Sequence, residues 1–204
     1  DQLAAAVKSG HCFPAAETTN GPRSEAEAFA TQTALLRALG EQRAGWKVGA
    51  AGPGEALRWA PIPSTFALPT PAQISLAAHQ PGGIEAELAF RIGTDLPAQS
   101  APISREAVLA AITSAQVTVE RLGSRYCDYE SVEMNLKLAD LLFCGCLVIG
   151  TGTVDWQAAD WLAPHVTLRI NETVITDQAM TNPAGDPVEL VVRLANALAK
   201  SGDG

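Results

Sequence analysis

Apolar and polar residues alternate along residues 84–90 of the chain. One set consists of Ile84, Ala86, Leu88 and Phe90, and the other of Glu85, Glu87 and Ala89. Successive side chains of a β-strand point to opposite faces of the sheet, so this pattern predicts a strand with both glutamates on one face. Such a strand places two negative charges side by side within an otherwise apolar run.

Three further segments have the patterns of strands. In residues 115–120, Val117 and Val119 alternate with Gln116, Thr118 and Glu120, so this predicted strand ends in a third acid. The run CGCLVIG at residues 144–150 is typical of a buried strand. Residues 166–179 predict a β-hairpin that turns near Asn171 and Glu172.

Helices are predicted at residues 24–39, 104–115, 131–142 and 186–202. Ser24 is the expected N-cap of the first, with Glu27 as its capping-box partner and Gly40 as its stop. Ser104 is the expected N-cap of the second. The last has Asp186 as N-cap, Pro187 in the first helical position and Gly202 as its stop.

Residues 45–71 begin as a short strand and then become rich in glycine and proline, which predicts a long loop or a lid. Helices and strands are mixed without strict alternation, and this favours an α+β fold with a substantial β core. We expect a single domain over residues 1–204, with a helical N-terminal cap at residues 1–45 and a mixed β core at residues 46–204.

The net charge of the chain limits the classes of molecule that it is expected to bind. The chain has 22 acidic and 14 basic residues and a net charge of −8, which argues against binding to nucleic acid or to an acidic membrane surface. No apolar run approaches the roughly 18 residues of a membrane span. Small molecules, metal ions and protein partners remain.

The four cysteines are too few and too irregularly spaced to predict a disulfide framework, and Cys144 and Cys146 are too close in sequence to pair with each other. This pattern favours a reducing compartment and a cytoplasmic location. Cys144 and Cys146 could present two thiolates to zinc, but no second pair of Cys or His ligands accompanies them, and two buried cysteines are the simpler interpretation.

The acids on the two predicted strands are candidate metal ligands. Residues i and i+2 of a strand lie about 6.6 Å apart on one face, so Glu85 and Glu87 can converge on one cation. Glu120, at the end of the other strand, is the natural third ligand. The alternative is that Glu85 and Glu87 simply form the solvated face of a strand.

Lys47 is the candidate catalytic residue. It lies between Trp46 and Val48, and partial desolvation there would lower its pKa and suit proton transfer. The alternative is an ordinary lysine on the outer face of a strand. Arg125 could bind a substrate carboxylate or form an ion pair.

Six segments together resemble one enzyme family. They are EAFATQ, GWKVGA, IEAELAF, VTVERLGSRY, ADLLFCGCLVIG and DPVELVVRLANALAK, and they span roughly residues 24–200. In these segments the chain resembles the 2-keto-4-pentenoate hydratase and 4-oxalocrotonate decarboxylase branch of the fumarylacetoacetate hydrolase superfamily.

The resemblance implies a mixed, strongly bent β core like the C-terminal domain of fumarylacetoacetate hydrolase, with peripheral helices and an apparently shortened C-terminus. It implies a Mg²⁺ or Mn²⁺ site at Glu85, Glu87 and Glu120, and it places Lys47 at the family's lysine. Arg125, Asp140 and Cys144 are the expected substrate-binding positions. Where the family has Ala-Asp-Asn-Ala-Ser-Ser, this chain keeps the Asp but continues as Leu-Leu-Phe-Cys.

The implied function is a metal-dependent hydratase that adds water to a 2-hydroxy-2,4-dienoate and gives a 4-hydroxy-2-oxo acid, as in the catabolism of aromatic compounds. The alternatives are a decarboxylase of a 4-oxalocrotonate-like 2-oxo-dioate and a non-catalytic relative that binds a metabolite or acts as a scaffold. The resemblance also implies a homo-oligomer and a partner decarboxylase or hydratase subunit.

Overall fold

The structure, a computed structural model, describes residues 2–75, 83–96, 102–151 and 155–201. The helices are α1 (Gln2–Ser9), α2 (Glu25–Leu39), α3 (Arg105–Ala111), α4 (Met134–Ala139) and α5 (Pro187–Ser201). The strands are β1 (Arg43–Gly49), β2 (Arg58–Pro63), β3 (Ala67–Pro69), β4 (Ile84–Ile92), β5 (Ile112–Leu122), β6 (Cys144–Ile149), β7 (His165–Ile170) and β8 (Thr173–Ala179). The predicted α+β class is therefore confirmed.

Four strands form a mixed sheet in the order β3-β6-β5-β4. β3 runs parallel to β6, whereas β5 is antiparallel to β6 with Glu120 opposite Leu147. The strand that carries Glu85 and Glu87 is thus hydrogen-bonded to the strand that carries Glu120. β1 pairs with β2, and β7 pairs with β8 as the predicted hairpin.

The chain divides into two compact units. The first comprises Asp1–Lys47, Trp59–Ala89 and Gln116–Gly152. Its core is a cluster of apolar side chains from α1, α2, α4 and β6, including Leu3, Leu35, Leu138 and Leu147, and α2 packs against α4. All the predicted site residues belong to this unit. The single domain with a cap at residues 1–45 stays a prediction.

The second unit comprises Val48–Arg58, Phe90–Ala115 and Thr153–Gly204. Here α3 packs against α5, and Asn196 of α5 accepts a hydrogen bond from the backbone N–H of Ile103 at 2.8 Å. Phe90 makes edge-on contacts with Trp156 and Trp161, at centroid distances of 5.8 and 6.4 Å. An apolar helix face and an aromatic cluster therefore stabilise this unit.

Several predicted helix caps are confirmed, whereas the helix predicted for residues 131–142 is shorter at both ends and forms only at Met134–Ala139. Ser24 Oγ accepts a hydrogen bond from the N–H of Glu27 at 3.2 Å, and Gly40 ends α2 in the left-handed conformation at φ 74°. Asp186 caps α5 by accepting from Val188 N–H at 2.8 Å. Gly202, the predicted stop of α5, lies outside the described residues.

The helix predicted for residues 104–115 is wrong in its second half. α3 ends at Ala111, and residues from Ile112 onward belong to β5. β-Branched residues such as Ile112 and Thr113 favour a strand, and pairing within the sheet decides between the two conformations.

The loop predicted for residues 45–71 was also wrong in part, because it contains β2 and β3. Residues 60–63 of β2 are buried. Pro61 and Pro63 have no backbone N–H to donate, and proline argues against a strand in a sequence pattern. Burial of Ala60 and Ile62 outweighs that disadvantage.

The cysteine pattern gave a third wrong expectation, because Cys12 and Cys127 form a disulfide across 115 residues of sequence. Backbone hydrogen bonds hold the two segments together, from Phe13 N–H to Arg125 O and from Cys127 N–H to Phe13 O, both at 3.0 Å. The argument for a reducing compartment loses its basis, and a cytoplasmic location stays a prediction. In the part of the chain that the structure describes, no helix is both long and apolar enough to cross a bilayer.

Gly145 of β6 allows close contact between two backbones. A Cβ at this position would lie 2.6 Å from Arg121 O, whereas a Cβ at Gly49 of β1 would meet nothing within 4 Å. We expect Gly145→Ala to lower the free energy of unfolding by about 1–3 kcal/mol. The matched Gly49→Ala change should stay within about 0.5 kcal/mol of wild type. Urea titration followed by circular dichroism measures both, and equal stabilities would contradict the close approach.

Candidate metal centre

Three glutamates converge where β4 and β5 lie side by side. Glu85 and Glu87 project from β4 and Glu120 from β5, and one carboxylate oxygen of each lies within 4.8 Å of the others. Their exposure is graded, because the Glu85 side chain is 50% exposed, Glu87 is half-buried and the Glu120 side chain is 1% exposed. The structure thus brings together the three acids that the strand patterns singled out.

The crowding of these carboxylates affects their ionisation. The pKa of Glu87 is raised to about 8, first by burial and then by the neighbouring charge of Glu120, with a smaller contribution from Glu85. The charge of Lys47 opposes this shift. Without a further positive charge, Glu87 therefore does not ionise as a free glutamate does.

Lys47 of β1 contributes the one ammonium group seen at these acids among the described residues. Its Nζ lies 2.8 Å from Glu120 Oε1 and 2.7 Å from Oε2, and 4.0 Å from Glu85 Oε2. Nζ also donates a hydrogen bond to the backbone carbonyl of Leu142 at 3.2 Å. The side chain is only 16% exposed, so the ion pair with Glu120 is shielded from water.

The expectation that Lys47 has a lowered pKa was wrong. Burial does lower the pKa of Lys47, but the charge of Glu120 and its hydrogen bond more than offset burial, so the net shift is upward. The sequence shows the apolar neighbours of the lysine but not the carboxylate that faces it. Lys47 is therefore held as an ammonium ion that can donate a proton.

The donor set fits a hard divalent cation. Carboxylate oxygens are the preferred ligands of Mg²⁺ and Ca²⁺, and two oxygens bound to one Mg²⁺ lie at most about 4.2 Å apart. Glu120 Oε2 is buried and lies 2.7 Å from Lys47 Nζ, so an ammonium group already partners it. One carboxylate oxygen of each glutamate lies within 4.8 Å of the others, which is close to the separation that one cation requires.

Arg125 and Asp140 lie in the core rather than among the three glutamates. Arg125 Nε donates to Asp140 Oδ1, and the side chains are 1% and 0% exposed. Ser124 Oγ also donates to Asp140, at 3.1 Å. The structure thus shows the ion pair that was one of the two interpretations of Arg125, and it closes both predicted substrate-binding residues to solvent.

Cys144, the third expected substrate-binding residue, is also buried. Burial and then the charge of Glu120 raise the pKa of its thiol well above the usual range, so it stays protonated. Among the described residues, Glu85, Glu87 and Glu120 are the one group of three or more potential ligands that converge. The zinc alternative at Cys144 and Cys146 therefore has no support from the described part of the chain.

The backbone carbonyl of Leu142 is the site group that the sequence analysis missed. It contacts Lys47 from a segment 95 residues further along the chain. Carbonyl groups carry no residue-specific signal, and nothing in the run Leu-Leu-Phe indicates that one of them faces the lysine.

Two solved structures resemble the whole chain. Both are of 4-oxalocrotonate decarboxylase from Pseudomonas putida G7, one complexed with magnesium and adipate and the other with calcium and acetate. Each is 21% identical to this chain and covers 98% of it, while the chain covers 82% of each decarboxylase. The TM-scores are 0.74 and 0.72.

This protein has the fold of 4-oxalocrotonate decarboxylase. The likeness confirms the fold class that the sequence implied, a mixed β core with peripheral helices. Comparisons with protein-family models and with curated protein sequences give no match.

The crowding of the three carboxyl groups should be measurable as a change in the free energy of unfolding when one of them is replaced. In a chelating buffer at neutral pH, we expect Glu87→Gln to be more stable than wild type by about 1–3 kcal/mol, because the raised pKa of Glu87 makes wild type take up a proton on folding and glutamine avoids that cost. Glu172→Gln, at the exposed turn of the β7–β8 hairpin, is the matched control and should change little. Thermal and urea unfolding report the difference, and a destabilised Glu87→Gln protein would show that the charges do not repel.

Proposed function

We propose that this protein is a divalent-metal-dependent lyase that acts on a short 2-oxo acid or its 2-hydroxydienoate form. The observation that carries the proposal is the convergence of Glu85, Glu87 and Glu120 beside the Lys47 ammonium group. Side chains from three strands, β1, β4 and β5, meet at this point, so the arrangement depends on the fold rather than on one local turn.

The cation would be held by Glu85, Glu87 and Glu120. Mg²⁺ is the first candidate for this ion and Mn²⁺ the second. The magnesium and calcium complexes of the two decarboxylases with the same fold support this choice. Held by these residues, Mg²⁺ would supply Lewis-acid chemistry toward the 2-oxo and carboxylate groups of the substrate. The three glutamates fix where that positive charge lies.

Lys47 would move the proton. Its Nζ is held by Glu120 and by the Leu142 carbonyl, so the position of the ammonium group is defined before substrate arrives. As an ammonium ion it can donate a proton to a carbon of the substrate enolate or stabilise negative charge on the enolate oxygen.

Hydration is the first candidate reaction. A 2-hydroxy-2,4-dienoate takes up a proton at C5 and loses its hydroxyl proton, which leaves a 2-oxo group and a C3–C4 double bond. Water then adds its oxygen to C4 and a proton to C3, giving the 4-hydroxy-2-oxo acid. A monocarboxylate substrate needs no second carboxylate anchor, and this agrees with Arg125 being fully engaged by Asp140 in the core.

Decarboxylation is the second candidate reaction. The fold that this protein shares with the two decarboxylases favours this reaction. The bond between the distal carboxylate of a 2-oxo-dioate and its neighbouring carbon would break. CO₂ would leave, and the electron pair would pass into the conjugated system as a dienolate, which a proton from Lys47 would convert to the dienol. Both reactions use the same enolate, so the same residues serve either.

Homo-oligomerisation, a partner hydratase or decarboxylase subunit and a role in aromatic-compound catabolism stay part of this proposal.

Turnover should require the lysine. We expect Lys47→Met to lower kcat by about 10²–10⁴-fold with Mg²⁺ present, because the proton donor is lost. Lys200→Met, at the exposed end of α5, is the matched control and should keep wild-type activity. Absorbance of the dienol, with product analysis for hydroxy acid and CO₂, measures turnover and separates the two reactions. Metal binding by wild-type protein without turnover of either substrate would instead favour the non-catalytic alternative.

Metal binding is testable without substrate. We expect Mg²⁺ to raise the melting temperature after chelator treatment, since an ion at 100 times its Kd stabilises the native state by about 2.7 kcal/mol. Glu85→Gln should weaken the binding measured by calorimetry, and Glu172→Gln should not. An unchanged melting temperature at high Mg²⁺ and Mn²⁺ would exclude the site.

A further inference from the structure

Three consecutive residues beside the candidate metal centre have left-handed backbone conformations. Leu141, Leu142 and Phe143 have φ values of 54°, 52° and 63°. Left-handed backbone is unfavourable for residues with a Cβ, and it is seldom adopted by successive residues. Since such conformations persist only when their surroundings enforce them, the left-handed turn at residues 141–143 needs an explanation from its contacts.

Arg125 connects the two ends of the left-handed turn. Its guanidinium group donates through Nη2 to the carbonyl of Asp140, just before the turn, and through Nη1 to the carbonyl of Cys144, just after it, the latter at 2.7 Å. Nε donates to the side chain of Asp140. A planar group with several donors can span these acceptors, whereas the single ammonium of a lysine cannot.

Asp140 fixes the guanidinium group in turn. Its Oδ2 accepts hydrogen bonds from Arg125 N–H at 2.9 Å and from Ser124 Oγ at 3.1 Å. All three residues are buried, so water does not compete for these bonds. The carboxylate therefore orients the same guanidinium group that bridges the ends of the turn.

Further contacts fix the interior of the turn. Phe143 N–H donates to Asp140 O at 2.9 Å, and Gly123 N–H donates to Phe143 O at 2.8 Å. The side chain of Leu141 is fully buried in the core of the first unit. The middle residue, Leu142, presents its carbonyl oxygen to Lys47 Nζ at 3.2 Å.

We propose that Arg125 and Asp140 are positioning residues: they enforce the left-handed turn at residues 141–143, which holds the Lys47 ammonium beside the three glutamates through the Leu142 carbonyl. This rests on the proposed function for its kinetic consequences. It replaces the expectation that these two residues touch substrate. An ion pair that only stabilises the core would have no such connection to Lys47.

The direct test is Arg125→Lys, which keeps the positive charge but removes the planar guanidinium group with its several hydrogen-bond donors. We expect kcat to fall by about 100-fold, the effect of misplacing a reacting group by about 1 Å. KM and the Mg²⁺ Kd should change far less than kcat, because the substitution leaves Glu85, Glu87 and Glu120 on their strands. Loss of Mg²⁺ binding together with kcat, or an unchanged kcat in the folded variant, would overturn the proposal.

Rescue separates positioning from stability. Glycine adopts left-handed backbone freely, so adding Leu142→Gly to Arg125→Lys should recover kcat by about tenfold. Leu35→Ala, a cavity-forming change in the core far along the chain, is the control for general destabilisation and should leave kcat unchanged below its melting temperature. A folded double variant without recovery would argue against the turn as the link.

A milder variant and a readout independent of turnover complete the test. Ser124→Ala removes one hydrogen bond to Asp140 and should also lower kcat, by a smaller factor than Arg125→Lys does. This variant keeps the proposal testable if Arg125→Lys does not fold.

Acylation of Lys47 by acetic anhydride, followed by peptide mass spectrometry, should become severalfold faster in Arg125→Lys. This labelling does not depend on the lyase proposal, so an inactive wild-type protein with the expected labelling change would reject the function and keep the positioning role. Unchanged labelling in a folded Arg125→Lys variant would reject the positioning role whatever the activity.

Discussion

The proposed metal centre depends on the balance of charge among three carboxyl groups and one ammonium group where β4 and β5 lie side by side. Glu85, Glu87 and Glu120 bring three carboxyl groups within 4.8 Å of one another, and Lys47 supplies one positive charge beside them. Ionisation of all three acids would leave negative charge that a small divalent cation would neutralise, as the proposed function requires. The neighbouring ion pair of Arg125 with Asp140 adds no net charge, so it does not relieve this imbalance.

The site has two parts with different origins. The glutamates are placed by strand pairing, since β4 and β5 are neighbours in the sheet. Lys47 is placed by a side-chain ion pair and by a backbone carbonyl from an unusual turn. Strand pairing tolerates many substitutions, because backbone hydrogen bonds maintain it. The placement of Lys47 depends on a few buried polar groups, so substitutions there affect it more strongly.

Much of this arrangement follows from patterns in the sequence. Alternation placed Glu85 and Glu87 on one face, and the same rule placed Glu120 at the end of a second strand. That the two strands are neighbours does not follow from alternation. It was assumed when Glu120 was taken as the third ligand, and the family resemblance implied the same ligand set. The Cys12–Cys127 disulfide depends on a contact across 115 residues, which no local pattern reveals. β2 was missed because its prolines disfavour a strand, and the Leu142 carbonyl because left-handed leucines are too unfavourable to expect.

In the proposed metal centre, the graded exposure of the three acids would set the order in which an entering cation contacts them. Glu85 is half open to water, whereas Glu120 is closed off and already in contact with Lys47. A hydrated cation would therefore lose its water shell in stages, first at the outer carboxylate and last at the inner one. Departure would follow the reverse order, so the outermost carboxylate would be both the first and the last protein group to contact the ion.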